Sequence, residues 1–229
     1  MTTEQISIMM LCVGLIFAIA FGVPIFIYIY KNNKAEKKNL KIFRTIQLGT
    51  FYSIANLHEA LKKGGFNIDY DWNDHDREWT NDLLNKTALV PIPITMNLVR
   101  LSVKDLGFPK GAIIQKIYKR AKKLGLNPCP AEVGPQLRLQ YPDQPMHENL
   151  IIAMEPIITD LKYGMDIRPE HPHYHLIVNH DVFLLGHNFA GSFLGEACGE
   201  LSWFYYAHEQ LVFTPDKWTM AVPTIELKT

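Results

Sequence analysis

The sequence is short of the residues that most often give a function away. It holds three cysteines in 229 residues, Cys12, Cys129 and Cys198, none of them paired at close spacing, which excludes a zinc knuckle and a disulfide framework. Its formal net charge is zero, so it lacks the basic field that general nucleic-acid binding needs. There is no Walker loop, no G-x-G-x-x-G, no G-x-S-x-G and no H-E-x-x-H, which removes the commonest phosphate-binding, hydrolase and metalloprotease signatures. No internal repeat or low-complexity tract is present. Charge is also missing altogether from Ile6 to Tyr30.

That uncharged run is the most telling feature. As a helix rising ~1.5 Å per residue it would be about 37 Å long, enough to cross a hydrocarbon core of about 30 Å. A cleaved secretory signal would need a basic lead-in and small residues at its end. Here Met1-Thr-Thr-Glu-Gln5 has no basic side chain, and the run closes on Tyr28-Ile-Tyr30. The pattern predicts an uncleaved transmembrane helix over 6–30, with 1–5 as a short outside tail. Lys31, Lys34, Lys37 and Lys38 follow at once, with Lys41 and Arg44 behind them, making 31–45 a basic juxtamembrane flank. The positive-inside rule puts that flank and everything after it in the cytoplasm. The lysines would lie against the headgroups of the lipid bilayer. Free thiols suit that side of the membrane, and the sequon Asn85-Lys86-Thr87 would be idle there.

Residues 46–90 read as a helical region close to the membrane. Phe43, Ile46, Phe51, Ile54, Leu57 and Leu61 recur at helical spacing until Gly64-Gly65, and a second helix is predicted over Asp74 to Lys86. Pro91 and Pro93 mark a linker near 88–95. Residues 95–229 are then a soluble α+β domain. Met96 to Val103 alternates as a strand, and Ala112 to Leu124 is an amphipathic helix with cations in its last turns, where the helix dipole favours them. Val133 to Tyr141 reads as a strand, as does Leu150 to Met154. Leu176 to Val178 and Val182 to Leu185 read as a hairpin turned at Asn179-His-Asp181. Trp203 to Tyr206 and Gln210 to Phe213 look like a further pair of strands, and Met220 to Leu227 like a last strand or tail. The fold class is α+β: an N-terminal transmembrane helix, membrane-proximal helices, then a mostly antiparallel β domain with one packed helix.

Part of the chain has a familiar look. The stretches Leu106-Gly-Phe-Pro109, Ile117-Tyr-Lys-Arg-Ala-Lys-Lys-Leu-Gly-Leu126, Cys129-Pro-Ala-Glu-Val-Gly-Pro-Gln-Leu-Arg-Leu-Gln-Tyr141, Asp143-Gln-Pro145 and Ile152-Ala-Met-Glu-Pro-Ile157 resemble an uncharacterised group of small bacterial proteins. The likeness covers roughly residues 98–157, with an echo at Leu211-Val-Phe213. It implies a bacterial source, so that the anchor would lie in the inner (cytoplasmic) membrane. The group has no assigned activity, and the likeness transfers no catalytic residues. After Ile158 the sequence departs from it.

Two constellations could carry chemistry. In His171-Pro-His173-Tyr-His175, followed by His180 and His187, alternate residues of a strand would share a face. Neutral imidazoles so placed could hold a divalent transition metal. Against this, Pro172 disfavours a regular central strand. Gln136, Arg138 and Gln140 alternate with leucines, and with nearby Glu132 they would line one polar face of a strand fit for a polar ligand or a peptide. Asp69-Tyr-Asp71-Trp-Asn73-Asp74-His75-Asp76 starts like a calcium loop, but Asp74 and Thr80 stand where an EF-hand needs Gly and Glu. Cys198 beside a histidine could in form make a nucleophile pair. The expectation is therefore a non-enzymatic, single-pass membrane-anchored protein that binds a partner protein or ligand at the membrane surface, without nucleic acid. The alternative is a metal-dependent enzyme, a hydrolase built on His171 to His187.

Overall fold

The computed structural model describes residues 40–68, 79–159 and 179–218. The chain divides into Met1–Leu40 and Lys41–Thr229. The predicted anchor and Lys31, Lys34, Lys37 and Lys38 lie outside the described residues. Among the described residues no helix is long and apolar enough to cross a membrane.

From Lys41 on, the elements are β1 (Arg44–Leu48), α1 (Ile54–Lys63), α2 (Trp79–Asn85), β2 (Ile94–Ser102), β3 (Ala112–Ile113), α3 (Ile114–Lys123), α4 (Val133–Gln140), β4 (Asn149–Ile152), β5 (Ile157–Thr159), β6 (Asn179–Asn188), β7 (Gly191–Cys198), β8 (Phe204–Tyr205) and β9 (Gln210–Phe213). This is an α+β arrangement. The main sheet runs β1-β2-β9-β4-β6-β5, with β7 also on β6, and β3 pairs β8 in a small separate sheet. The ladders are antiparallel except β4 with β9. Leu98, Leu137, Leu150, Phe183, Leu194 and Phe213 are fully buried in the core.

The registers give the sheet two ends. Ser102 faces Gln210, Leu150 lies beside Gln210, and Asn149 faces Gly186. One end therefore gathers the segments 103–111, 142–148, 189–190 and 206–209. Because β1 runs antiparallel to β2, from Arg44 opposite Leu98 to Leu48 opposite Ile94, the chain comes into the sheet from that same end. We term it the proximal end. The turns at 49–53 and 90–93 lie at the distal end.

Several sequence expectations are corrected. Phe43 and Ile46 do not open a helix: β1 buries Ile46 and Leu48 at the period of a strand. Gly49, at φ +69, ends the strand where a Cβ would run into Ile92 O. The helix starts only at Ile54, where Ser53 Oγ accepts from Asn56 N. Pro91 and Pro93 lie in a connection inside Lys41–Thr229, across which β1 pairs with β2. Asn179, His180 and Asp181 do not turn; they pair with Thr159, Ile158 and Ile157. The hairpin turns after Asn188, with Gly191 at φ 113. Trp203–Tyr206 and Gln210–Phe213 do not pair with each other, since β8 joins β3 and β9 is inserted between β2 and β4.

The largest correction is α4. Val133–Gln140 is a helix rather than a strand. Its leucines alternate with polar residues, but both sides of the segment are buried, so the alternation does not separate core from solvent. Pro135 falls in the first turn, where its missing N–H costs nothing. Gly134 lets the helix close on β6: a Cβ there would stand 2.5 Å from the Phe183 ring. Burial on all sides is what disguised it.

Candidate functional site

Glu132, Gln136 and Gln140 are four residues apart and form one row along α4. Glu132 is fully buried. Its Oε1 accepts from Gly49 N at 2.8 Å and Gln136 Nε2 at 2.9 Å, and its Oε2 from Val90 N at 2.6 Å. One carboxylate thus ties both distal turns. Gln136 Nε2 also donates to Thr50 Oγ1 at 2.7 Å. Gln140 treats β1 as a neighbouring strand would: Gln47 N donates to its Oε1 and its Nε2 donates to Gln47 O, both at 2.9 Å. An open sheet edge invites pairing with another chain. Here the polar row predicted as a peptide- or ligand-binding face holds the protein's own edge strand.

Arg138 points away from that row and is fully buried. It donates to Gln144 Oε1, to Tyr141 O and, at 3.4 Å, to Gly186 O. Its guanidinium lies 4.8 Å from the Phe66 ring centroid, and its Nε has no partner. Burial lowers its pKa to about 10 against the raising influence of Tyr141 and Glu148, so it stays charged at neutral pH. Beyond it, Arg44 bonds Asp143 at 3.0 Å and stacks 4.2 Å from the Tyr141 ring. Arg100 pairs with Glu148 and stacks 4.7 Å from the Phe43 ring. Tyr141 donates to Glu148 Oε2 at 2.9 Å. Burial, then this bond to a carboxylate, pushes the Tyr141 phenol up to about 12.

Of the candidate metal ligands, His171, His173 and His175 lie outside the described residues, as does the Asp69–Asp76 run. His180 and His187 stand seven residues apart on β6, about 23 Å along the strand and on opposite faces at ~3.3 Å per residue. The two therefore cannot share an ion. His187 Nδ1 donates to Gln144 O at 2.6 Å, and His180 is exposed. Among the described residues no group of three or more His, Cys, Asp or Glu could hold a metal. Asp181 faces Cys198 across β6 and β7 and accepts from Thr159 Oγ1. Burial raises the Asp181 carboxyl. Burial and the charges of Glu200 and Asp181 push the Cys198 thiol up, which is the opposite of an activated thiolate.

One surface was not among the expectations from the sequence. Leu201, Trp203, Phe204 and Tyr206 are 50%, 51%, 44% and 62% exposed within one short run. The run is held by its backbone. Ile114 N donates to Trp203 O at 3.0 Å and Gln115 N to Leu201 O at 3.1 Å. These carbonyls satisfy the first turn of α3, which has no side-chain cap. Phe204 and Tyr205 pair with Ile113 and Ala112. Tyr205 alone turns inward, donating to Cys198 O at 2.6 Å. The Phe204 and Tyr206 rings meet edge to face at 5.6 Å. The available signal was Trp-Phe-Tyr-Tyr itself, whose aromatics a sheet core would bury at alternate positions. Among the described residues only β3 pairs with this strand.

No protein-family model, curated protein or solved structure matches the chain.

Proposed function

We propose that the chain is a single-pass membrane-anchored protein whose cytoplasmic α+β domain works by binding a partner protein at the membrane surface. The uncharged run from Ile6 to Tyr30 and the lysines behind it support the anchor and its direction. The single observation that carries the binding reading is the fixed aromatic run at Leu201, Trp203 and Phe204. Large apolar side chains are half-exposed there on a backbone already ordered by α3 and β3. Aromatic residues are enriched in the centres of protein interfaces, and a pre-ordered backbone lowers the entropy lost on association.

The test uses the full chain in its own membrane. A photo-crosslinking residue is placed at Trp203, and for comparison at Tyr52, which is fully exposed at the distal end. A discrete protein adduct from position 203 and none from position 52 is the expected result. No adduct from either, or the same adducts from both, would overturn the binding reading. A reporter fused after Thr229 should be active in the cytoplasm, and activity on the outer side would overturn the orientation.

A further inference from the structure

We propose that the proximal end of the sheet rests on the bilayer itself, its occupant being the headgroup layer of an anionic leaflet. This rests on the anchor reading above and adds which side of the domain faces the membrane.

The sheet register brings the observations together. Three proximal segments and the incoming chain each present an exposed large apolar side chain: Ile42 at 42%, Met146 at 49%, Phe189 at 86% and Tyr206 at 62%. They belong to the structure's fixed parts. His147 N donates to His187 O at 2.7 Å, and the His147 and Phe189 rings meet at 5.0 Å, which joins the 142–148 segment to the β6–β7 turn. Lys104 N donates to Ala207 O at 2.9 Å, joining 103–111 to 206–209. Separate apolar tips on adjoining loops suit a soft, continuous surface into which each can dip, and aromatic rings favour the headgroup level.

Charge points the same way. Lys41, Lys104 and Lys110 are exposed at this end. The acids near them are engaged by the protein: Asp143 with Arg44, Glu148 with Arg100 and Tyr141, Glu209 with Tyr206 N, and Asp105 with Ser102. The distal end also exposes apolar groups, Tyr52, Ile92 and Ile158. It carries cations as well, Lys86, tied to Asp82 and Ile158 O, and the exposed Lys217, but the chain does not come in there. Residues 31–40 between the predicted anchor and the domain span at most about 35 Å when fully extended. That is shorter than the ~40 Å width expected of a domain this size. A tether that short favours contact through the end to which it is attached.

The test is hydroxyl-radical footprinting of the full chain in nanodiscs, read at Met146, Phe189 and Tyr206, with Tyr52 as the distal reference. In discs containing phosphatidylglycerol the proximal residues should oxidise roughly threefold or more slower than in discs of phosphatidylcholine alone. Tyr52 should be unchanged, and the double variant Lys104→Glu, Lys110→Glu should lose the protection. Equal rates in both lipids, or protection of Tyr52 instead, would overturn the proposal. Protection seen only in discs that carry two chains would assign this end to a second copy and also overturn it. A chain that elutes apart from the discs would remove the anchor reading and this inference together. A chain held in the discs without proximal protection would remove only this inference.

Discussion

Helices α3 and α4 are of similar length and lie ten residues apart in the chain, yet they are opposites. In α3, Ile114, Ile117 and Ala121 are buried while Lys116, Lys119, Lys122 and Lys123 stand in solvent. In α4, Val133 through Arg138 are all buried, polar and apolar alike. The first helix is held by one apolar stripe. The second is held from every side, by the Phe183 ring against Gly134, by β1 against Gln140 and by Gln144 and Phe66 around Arg138. The lysines of α3 therefore meet water and are replaceable. A polar side chain on α4 meets a specific protein group and is not.

The contrast predicts a graded set of effects, each read as thermal or urea unfolding of the full chain in mild detergent. Glu132→Leu should cost the most, about 4 kcal/mol, because it strands Gly49 N and Val90 N and takes one of the two bonds of Gln136 Nε2. Arg138→Met fills similar volume but leaves Gln144 Oε1, Tyr141 O and Gly186 O short of a donor, for about 2 kcal/mol. A change in unfolding energy within error of zero for either variant would break the distinction between the helices. Lys119→Ala on α3 should stay within about 0.5 kcal/mol, and a larger loss would mean that its solvent face is also committed.

Between these limits lies Asp181, whose raised carboxyl pKa fixes the sign of a pH effect. Its folded value lies above the unfolded one because burial penalises the charge. The penalty is absent at pH values low enough to protonate the group in both states, and it grows as pH rises through the folded value. Asp181→Asn keeps an acceptor for Thr159 and removes the charge. It should be more stable than the wild type at pH 7.5 by about 1 kcal/mol, with the difference shrinking toward pH 4. A difference that widens as pH falls would contradict the burial argument.

The same contrast explains what could be read from the sequence. The α3 region was legible because solvent on one side imposes a period, β2 because polar and apolar residues alternate along it, and β4 because its apolar run is bounded. The fold class followed from these. In α4 the row Glu132, Gln136, Gln140 carries helical spacing, but Arg138 sits between its members and Leu137, Leu139 and Tyr141 alternate with it, so the strand period fitted equally well. The side chains' partners were out of reach for another reason. Gln47, Gly49 and Val90 are far away in the chain, and no local pattern specifies that β9 inserts between β2 and β4 to bring those parts together. The exposed run at Leu201–Tyr206 was hidden likewise, since aromatics in a strand are ordinarily core.

The most direct check of the central claim, that α4's polar row closes the edge of β1 rather than awaiting a ligand, is amide hydrogen exchange at Gln47 and Gly49. In the wild-type full chain both amides should exchange as slowly as those of the core strand β2. In Gln140→Ala the Gln47 amide alone should lose roughly tenfold or more of its protection, equivalent to about 1.4 kcal/mol, while Gly49 stays held by Glu132. Fast exchange of both amides in the wild type would show the edge to be open, and the polar row of α4 would again be free to bind something else.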